Sequence, residues 1–358
     1  MLNKIPFYKP PLGEREANAV ADVVRSGWVT YGNKTEEFEL KFARYIGAPY
    51  CVMVNSCTNA MFLAMEYKKK ELSYLKTTVL YVPSLTCAAT ALAPIWAGMD
   101  IRFGDLAPNE DFLMAEQVWD CIPVHYAGKY NKQPKAVIED SAHRILPNSY
   151  GGLTTCFSFY ATKNLTTGEG GMIACTNKEE ADWYKKARLY GINKAVYKRE
   201  GMFQTGDKFW EFESEFLGWK CNPTDLIAAI GLVQLDRLEE LNAERKRVGL
   251  SYNEKLGKNY DREAWHLYPT LVNDRDDFMY YMKAVNVHCS VHFVPLHKQI
   301  AFNEYVRWDL PVTDWVYEHI VSLPFYPYMT EEEIEIVSRL FLDWEAKHGK
   351  PEFPQFTK

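Results

Sequence analysis

A lysine delivered by an apolar run into a glycine-rich loop is the most informative feature of the chain. It lies in Ser158-Phe159-Tyr160-Ala161-Thr162-Lys163-Asn164-Leu165-Thr166-Thr167-Gly168-Glu169-Gly170-Gly171. The run ending at Tyr160 reads as a buried strand, and three glycines precede the next apolar run. A lysine just past a strand end is placed to project into a cleft, where loss of water lowers its pKa and frees the amine for Schiff-base chemistry. A solvated loop lysine is the plain alternative. A second group ends another apolar run, Val137-Ile138-Glu139-Asp140, followed by Ser141-Ala142-His143. The Asp140 carboxylate either caps the next turn or pairs with a protonated ring nitrogen and holds it charged. A third group is Asn55-Ser56-Cys57-Thr58, a turn from strand to helix. Its hydroxyls and free helix N–H groups make an anion site, although Ser56 or Thr58 equally suits plain N-capping.

Each of these signals is weak alone. Together, a strand-end lysine, a strand-end acid and a hydroxyl-bearing helix entry are the Schiff-base amine, ring-nitrogen partner and phosphate anchor that pyridoxal phosphate (PLP) requires. Other chemistries find less support. His288, His292 and His297 lie in a strand-like run without clustered acids, so no metal site is expected. The eight cysteines, at 51, 57, 87, 121, 156, 175, 221 and 289, form no C-x-x-C pair, which argues against zinc ribbons and thioredoxin-type motifs. Several stand in apolar runs, as buried thiols do.

The elements that must position these groups form an α/β pattern. Strand-like runs occur at 50–54, 78–82, 101–106, 121–126, 136–140, 156–160 and 171–176. They lack clean alternation, as strands buried on both faces do. Helical stretches from Asn59 to Leu72, Ala88 to Ala97 and Glu179 to Leu189 alternate with them. Such a sheet binds ligands at the carboxyl ends of its strands. Thr224 to Leu250 reads as one long helix with an apolar face from Ile227, Ile230, Leu232, Leu235 and Leu238. Beyond Ser251 come shorter elements, strand-like at 266–272 and 286–294, and a final helix from Glu331 to Lys347. We expect a large domain over residues 1–250 and a smaller one over 251–358.

The bulk composition is that of an ordinary globular protein, 47% hydrophobic and 25% charged. Disorder is expected only in the last residues, Pro351 to Lys358. A net charge of -6 argues against a generic nucleic-acid binder. The first residues contain no apolar run of the signal-peptide kind, and no stretch of about 18 apolar residues is present to span a bilayer. A cytoplasmic protein without membrane or nucleic-acid partners is expected.

Across nearly its whole length the chain resembles the DegT/DnrJ/EryC1/StrS group of PLP-dependent sugar aminotransferases. Ser158 to Gly171 is similar to the group's S-F-x-x-T-K-N-x-x-x-G-E-G-G, a highly specific motif. Gly27-Trp28-Val29-Thr30-Tyr31-Gly32 looks like its amino-terminal signature, Asn55 to Ala60 its phosphate turn, and Val82-Pro83-Ser84-Leu85-Thr86 its P-S-x-T segment. Glu139 to His143 resembles E-D-x-A-[HQ], and Gly218 to Asp225 resembles G-Y-x-Y-x-M-T-D. Val291 to His297 and Ser322-Leu323-Pro324 resemble carboxyl-domain landmarks.

The resemblance implies a fold-type I PLP aminotransferase, with a large, mainly parallel-sheet domain and a smaller α+β C-terminal domain. It implies that Lys163 holds PLP and shuttles the proton, that Asp140 faces the pyridine nitrogen, and that His143 lies near the ring. Cys57, Thr58 and Ser158 would hold the phosphate, and Lys220 and Asn222 would complete that site in a homodimer partner. Tyr31, Tyr160, Arg188 and His292 are candidate substrate-wall residues. The implied reaction moves an amino group from an amino acid, usually L-glutamate, to a keto sugar on a nucleoside diphosphate, for surface polysaccharide or glycoconjugate. Related dehydratases replace the lysine with histidine, so Lys163 argues against that chemistry; the other alternative is a PLP- or nucleotide-sugar-binding homologue without turnover. Two departures stand out: Cys87 replaces the usual aromatic residue over the PLP ring, and Cys57 replaces a glycine in the phosphate turn. The stretch from Asp140 to Lys163 is also short for the group.

Overall fold

The computed structural model describes residues 3–71, 79–117, 119–193 and 211–356. Leu72, Thr78 and the last two residues of the expected disordered tail lie outside the described residues. Part of that tail is ordered against the protein, where the Phe353 ring packs 4.4 Å from Trp315.

The chain enters through α1 (Glu14–Ser26) and α2 (Asn33–Ile46), then lays down β1 (Tyr50–Val54), α3 (Cys57–Glu71), β2 (Val79–Pro83), α4 (Ala88–Trp96) and β3 (Asp100–Gly104). β4 (Glu139–Asp140), β5 (Thr155–Ser158), β6 (Gly171–Cys175) and α5 (Lys178–Ala187) follow. Pairing builds one sheet in the order β3, β2, residues 121–124, β4, β5, β6, β1. Contacts from β3 through β5 are parallel, whereas β6 runs antiparallel to both β5 and β1. The carboxyl ends of β1, β2, β4 and β5 therefore share one edge of the sheet, and β6 begins there. The expected strand at 121–126 is reduced to isolated bridges at Cys121 and Val124. Pro123 lies between them and has no N–H to give a ladder, although its carbonyl accepts from the Asp140 N–H at 3.0 Å.

The single long helix expected from Thr224 to Leu250 is two helices, α6 (Asp225–Asp236) and α7 (Leu238–Leu256). They meet at Arg237, whose backbone (φ -104, ψ -1) departs from the angles of a regular α-helix. Its guanidinium is anchored on Glu16 at 2.9 Å and on the Pro11 carbonyl at 3.2 Å. The change of direction lets each helix serve a different core. Ala228, Leu232 and Leu235 of α6 pack with Phe38, Phe42 and Phe159. Val248, Tyr252 and Leu256 of α7 pack with Trp265, Phe278 and Phe341. That second core contains β7 (Tyr268–Leu271), α8 (Arg275–Ala284), β8 (Ile320–Leu323) and α10 (Glu331–His348). α9 (Pro311–His319) leads into β8, which pairs antiparallel with β7. The strand expected at 286–294 makes only isolated bridges, Val287 to Ile5 and Ser290 to Ser322. The Ile5 bridge draws the amino-terminal segment across this core and carries Phe7 toward the sheet edge. No described helix is long and apolar enough to cross a membrane.

Asp225, in the first turn of α6, also caps α2. Its carboxylate accepts from the N–H groups of Gly32, Lys34 and Thr35 at 2.9–3.1 Å and from the Thr35 hydroxyl at 2.7 Å. One acid thereby ties the two sequence signatures around Gly32 and Asp225 into a single joint.

Candidate active site

The shared strand edge opens into a cavity of about 490 Å³. β5 ends at Ser158, and a turn closed by the Lys163 N–H on the Tyr160 carbonyl (3.0 Å) aims the lysine into it. The Lys163 carbonyl accepts from the Tyr8 hydroxyl and from Arg245, each at 3.4 Å, so the loop is held from two other elements. Lys163 is partly exposed, but to the cavity, and the enclosing protein pushes its amine pKa down; Asp140, Cys87 and Cys57 act in the opposite sense. A lowered pKa makes the neutral, nucleophilic amine accessible near neutral pH.

Asp140 ends β4 and is only 3% exposed. Its two oxygens accept from the Thr90 hydroxyl at 2.8 Å and the Ala142 N–H at 3.0 Å. Burial raises its carboxyl pKa, against the pull of those hydrogen bonds and of Lys163. A cation brought alongside favours the ionised form.

The third part is the turn from β1 into α3. Ser56 caps α3 by accepting the Asn59 N–H at 3.2 Å, as the N-capping reading expects. The helix's first N–H groups have no partner within it and lie at the positive end of its dipole. The register pairs Gly171 with Val54 on one side and Ser158 on the other. A side chain at Gly171 would stand 2.5 Å from the Cys57 nitrogen and the Ser56 oxygen, so only glycine lets strand and turn approach this closely.

Three histidines form another wall. His143 Nδ1 accepts from the Ala127 N–H at 3.2 Å, which puts its proton on Nε2 when neutral. His292 shares a 3.0 Å hydrogen bond with the Ser322 hydroxyl and stacks on Phe7. Burial, reinforced by Lys163, pushes His292 down to about 4 and holds His143 well below the ordinary histidine value. The third, His266, was not among the residues expected from sequence.

Of the expected residues, Cys57, Thr58, Cys87, Asp140, His143, Ser158, Tyr160, Lys163 and His292 line this one cavity. Tyr31 and Arg188 do not. Arg188 is buried and donates to Glu39 Oε1 and the Met53 carbonyl, both at 2.5 Å, with its guanidinium 4.4 Å from the Tyr31 ring. An arginine so committed braces α2 against β1. Lys220 and Asn222 hydrogen-bond to each other, also outside the cavity. Residues not foreseen are Phe7, Ser290, Phe293 and His266 in the wall and Thr90 behind Asp140. Thr90, one helical turn from Thr86, carried no signal beyond its helix. The others come from segments that read as plain strands or as chain terminus.

The donor set fits PLP. An amine with a depressed pKa suits the aldehyde, an enclosed carboxylate suits the pyridine nitrogen, and a helix entry with hydroxyls from Ser56, Thr58 and Ser158 suits the phosphate.

Comparison with known proteins agrees with this fit. Residues 10–341 match the DegT/DnrJ/EryC1/StrS aminotransferase family. MJ1066 of Methanocaldococcus jannaschii is 35% identical over 376 residues, covering 92% of this chain and 95% of that protein. SpsC, a spore coat polysaccharide biosynthesis protein of Bacillus subtilis, is 31% identical over 381 residues, covering 93% and 95% respectively. Among solved structures, the PMP form of Spr1654 from Streptococcus pneumoniae, described as a sugar aminotransferase, matches with a TM-score of 0.83 at 25% identity, covering 96% of this chain and 98% of that one. The chain belongs to the DegT/DnrJ/EryC1/StrS aminotransferase family, whose cofactor is pyridoxal phosphate.

Proposed function

We propose that the protein transfers an amino group from an amino acid, L-glutamate being the expected donor, to the keto group of a nucleotide-linked deoxysugar. The product would enter amino-sugar synthesis for surface polysaccharide or glycoconjugate, a setting that the name of SpsC supports. The observation that carries the reading is the meeting of the Lys163 amine, the Asp140 carboxylate and the α3 entry in one cavity.

Bound PLP supplies an aldehyde and an electron-withdrawing pyridine ring. The protein's own groups do the rest. Lys163 would hold the aldehyde end of the cofactor, and its amine would take and return the proton at the substrate carbon. Asp140, oriented by Thr90 and the Ala142 N–H, would keep the ring nitrogen protonated. Cys57, Thr58 and Ser158 would hold the phosphate end, His143 would lie near the ring, and Tyr160 and His292 would form substrate wall, all of them lining the one cavity. Cys87 would stand where the family usually has an aromatic residue, and a thiol would cover less of the ring.

A homodimer completes each site in this reading, with Lys220 and Asn222 reaching across to the neighbouring phosphate. The experiment is a panel of keto nucleotide sugars incubated with PLP-loaded protein and L-glutamate, with product mass as readout. An aminated sugar identifies the substrate. A bound-cofactor absorbance that stays unchanged in excess glutamate and other amino donors removes the proposal.

A further inference from the structure

His266 is a buried polar residue without a hydrogen-bond account. It is 2% exposed, yet part of its ring lines the cavity with Lys163. Its Nδ1 is enclosed and meets no partner among the described residues. The ring centroid lies 4.3 Å from that of His143 at a 49° tilt, and the His143 lone pair at Nδ1 is already taken by the Ala127 N–H.

The residue is held firmly on both sides. Ala264 donates its N–H to the Gly128 carbonyl at 3.0 Å, in a backbone approach that a side chain at Gly128 would block. The Trp265 carbonyl accepts from Asn164, the residue after Lys163, at 3.1 Å, and β7 begins two residues beyond His266. These anchors fix the backbone that carries the imidazole. Burial, with His143 and Lys163 adding to it, keeps the ring neutral. A neutral ring has one proton, and placing it on Nδ1 would bury an N–H with nothing to accept it. The proton therefore belongs on Nε2, at the edge left to the cavity. His143 reaches the same tautomer through the Ala127 N–H.

We propose that His266 is a ligand-binding residue of this site, presenting an Nε2–H donor to an anionic oxygen of the bound ligand. This rests on the aminotransferase reading above. Two ligand oxygens share the required chemistry: the carboxylate of the amino donor and the phenolic oxygen of the cofactor.

The test uses two variants and the wild-type protein. Gln places an amide donor near the Nε2 position, whereas Asn reaches only the Nδ1 position. His266→Gln should behave within about threefold of wild type, and His266→Asn should lose about tenfold or more in one readout. A weakened KM for L-glutamate in the amino-donor half-reaction assigns the carboxylate. A shifted absorbance maximum or weakened PLP dissociation constant assigns the phenolic oxygen. Equal behaviour of both variants, whether wild-type-like or equally impaired, overturns the proposal. Nitrogen-15 NMR of histidine-labelled wild-type holoenzyme guards against a variant that fails to fold: protonated Nε2 with bare Nδ1 at His266 is required, and a proton on Nδ1 overturns the assignment. Should wild type hold PLP yet ignore every amino donor, the aminotransferase reading falls by itself, and the tautomer and absorbance still judge His266.

Discussion

Replacing Gly171 with alanine forces the first residue of β6 against the turn that heads α3. The new methyl would stand 2.5 Å from two backbone atoms, the Cys57 nitrogen and the Ser56 oxygen, neither of which can rotate away. Comfortable contact begins at 3.4 Å, so strand and turn must part by about 1 Å. Overpacking of this kind costs about 1–3 kcal/mol. If the turn yields, its free N–H groups leave the phosphate position, and a misplacement of about 1 Å is worth on the order of 100-fold in a positioned site. We expect the Kd for PLP in Gly171→Ala to rise about 10- to 100-fold, the equivalent of about 1.4–3 kcal/mol. The Tm of the PLP-free protein should fall by a few degrees. Equilibrium dialysis against PLP and a thermal melt measure the two effects separately. Gly257→Ala is the control: Gly257 has φ +62 but nothing within 4 Å of the added carbon, so it should show a modest stability loss and an unchanged Kd. A wild-type PLP affinity in Gly171→Ala, with or without a lowered Tm, would refute the claim that this approach builds the phosphate end.

Four further outcomes follow from the same geometry. Lys163→Ala should lose the absorbance of bound cofactor and all turnover while keeping the wild-type Tm, because its side chain projects into a cavity. Asp140→Asn should still retain PLP but slow the half-reaction with glutamate by about 100-fold or more, read by stopped-flow absorbance, since a neutral amide cannot hold the ring nitrogen charged. Asp225→Ala strips the cap from α2 and leaves three N–H groups and a hydroxyl unpaired; a loss of about 3 kcal/mol in denaturant unfolding is expected, more than an ordinary cap contributes. His292, held at about 4 against an ordinary 6.5, binds its proton less readily folded than unfolded. Stability from this group is complete above about pH 6.5 and is lost as pH falls toward 4, amounting to about 2 kcal/mol by pH 5. His292→Gln should therefore flatten the decline of Tm between pH 7 and 5; an undiminished decline would remove His292 as a contributor.

Some of this protein could be read from its residues in order. The strands around Met53, Leu80, Phe157 and Ile173 announce themselves because a buried strand is a short apolar run, and local composition records burial. Lys163, Asp140 and the Ser56 to Thr58 turn were legible because each lies beside such a run, and strand ends of one sheet share an edge. Tertiary structure decided what depends on partners distant in sequence. Arg188 and Tyr31 have types suited to a substrate wall, but Glu39 and the Met53 carbonyl claim the guanidinium and fix it elsewhere. The helix from Thr224 carries a continuous apolar pattern, which records that residues are buried but not in which core, so the break at Arg237 was invisible. His266 looked like the start of a strand, and only the packing of Ala264 on Gly128 and of Trp265 on Asn164 brings it to Lys163. Periodicity encodes burial one residue at a time, whereas a site is a set of distances between residues far apart in the chain, and folding alone sets those.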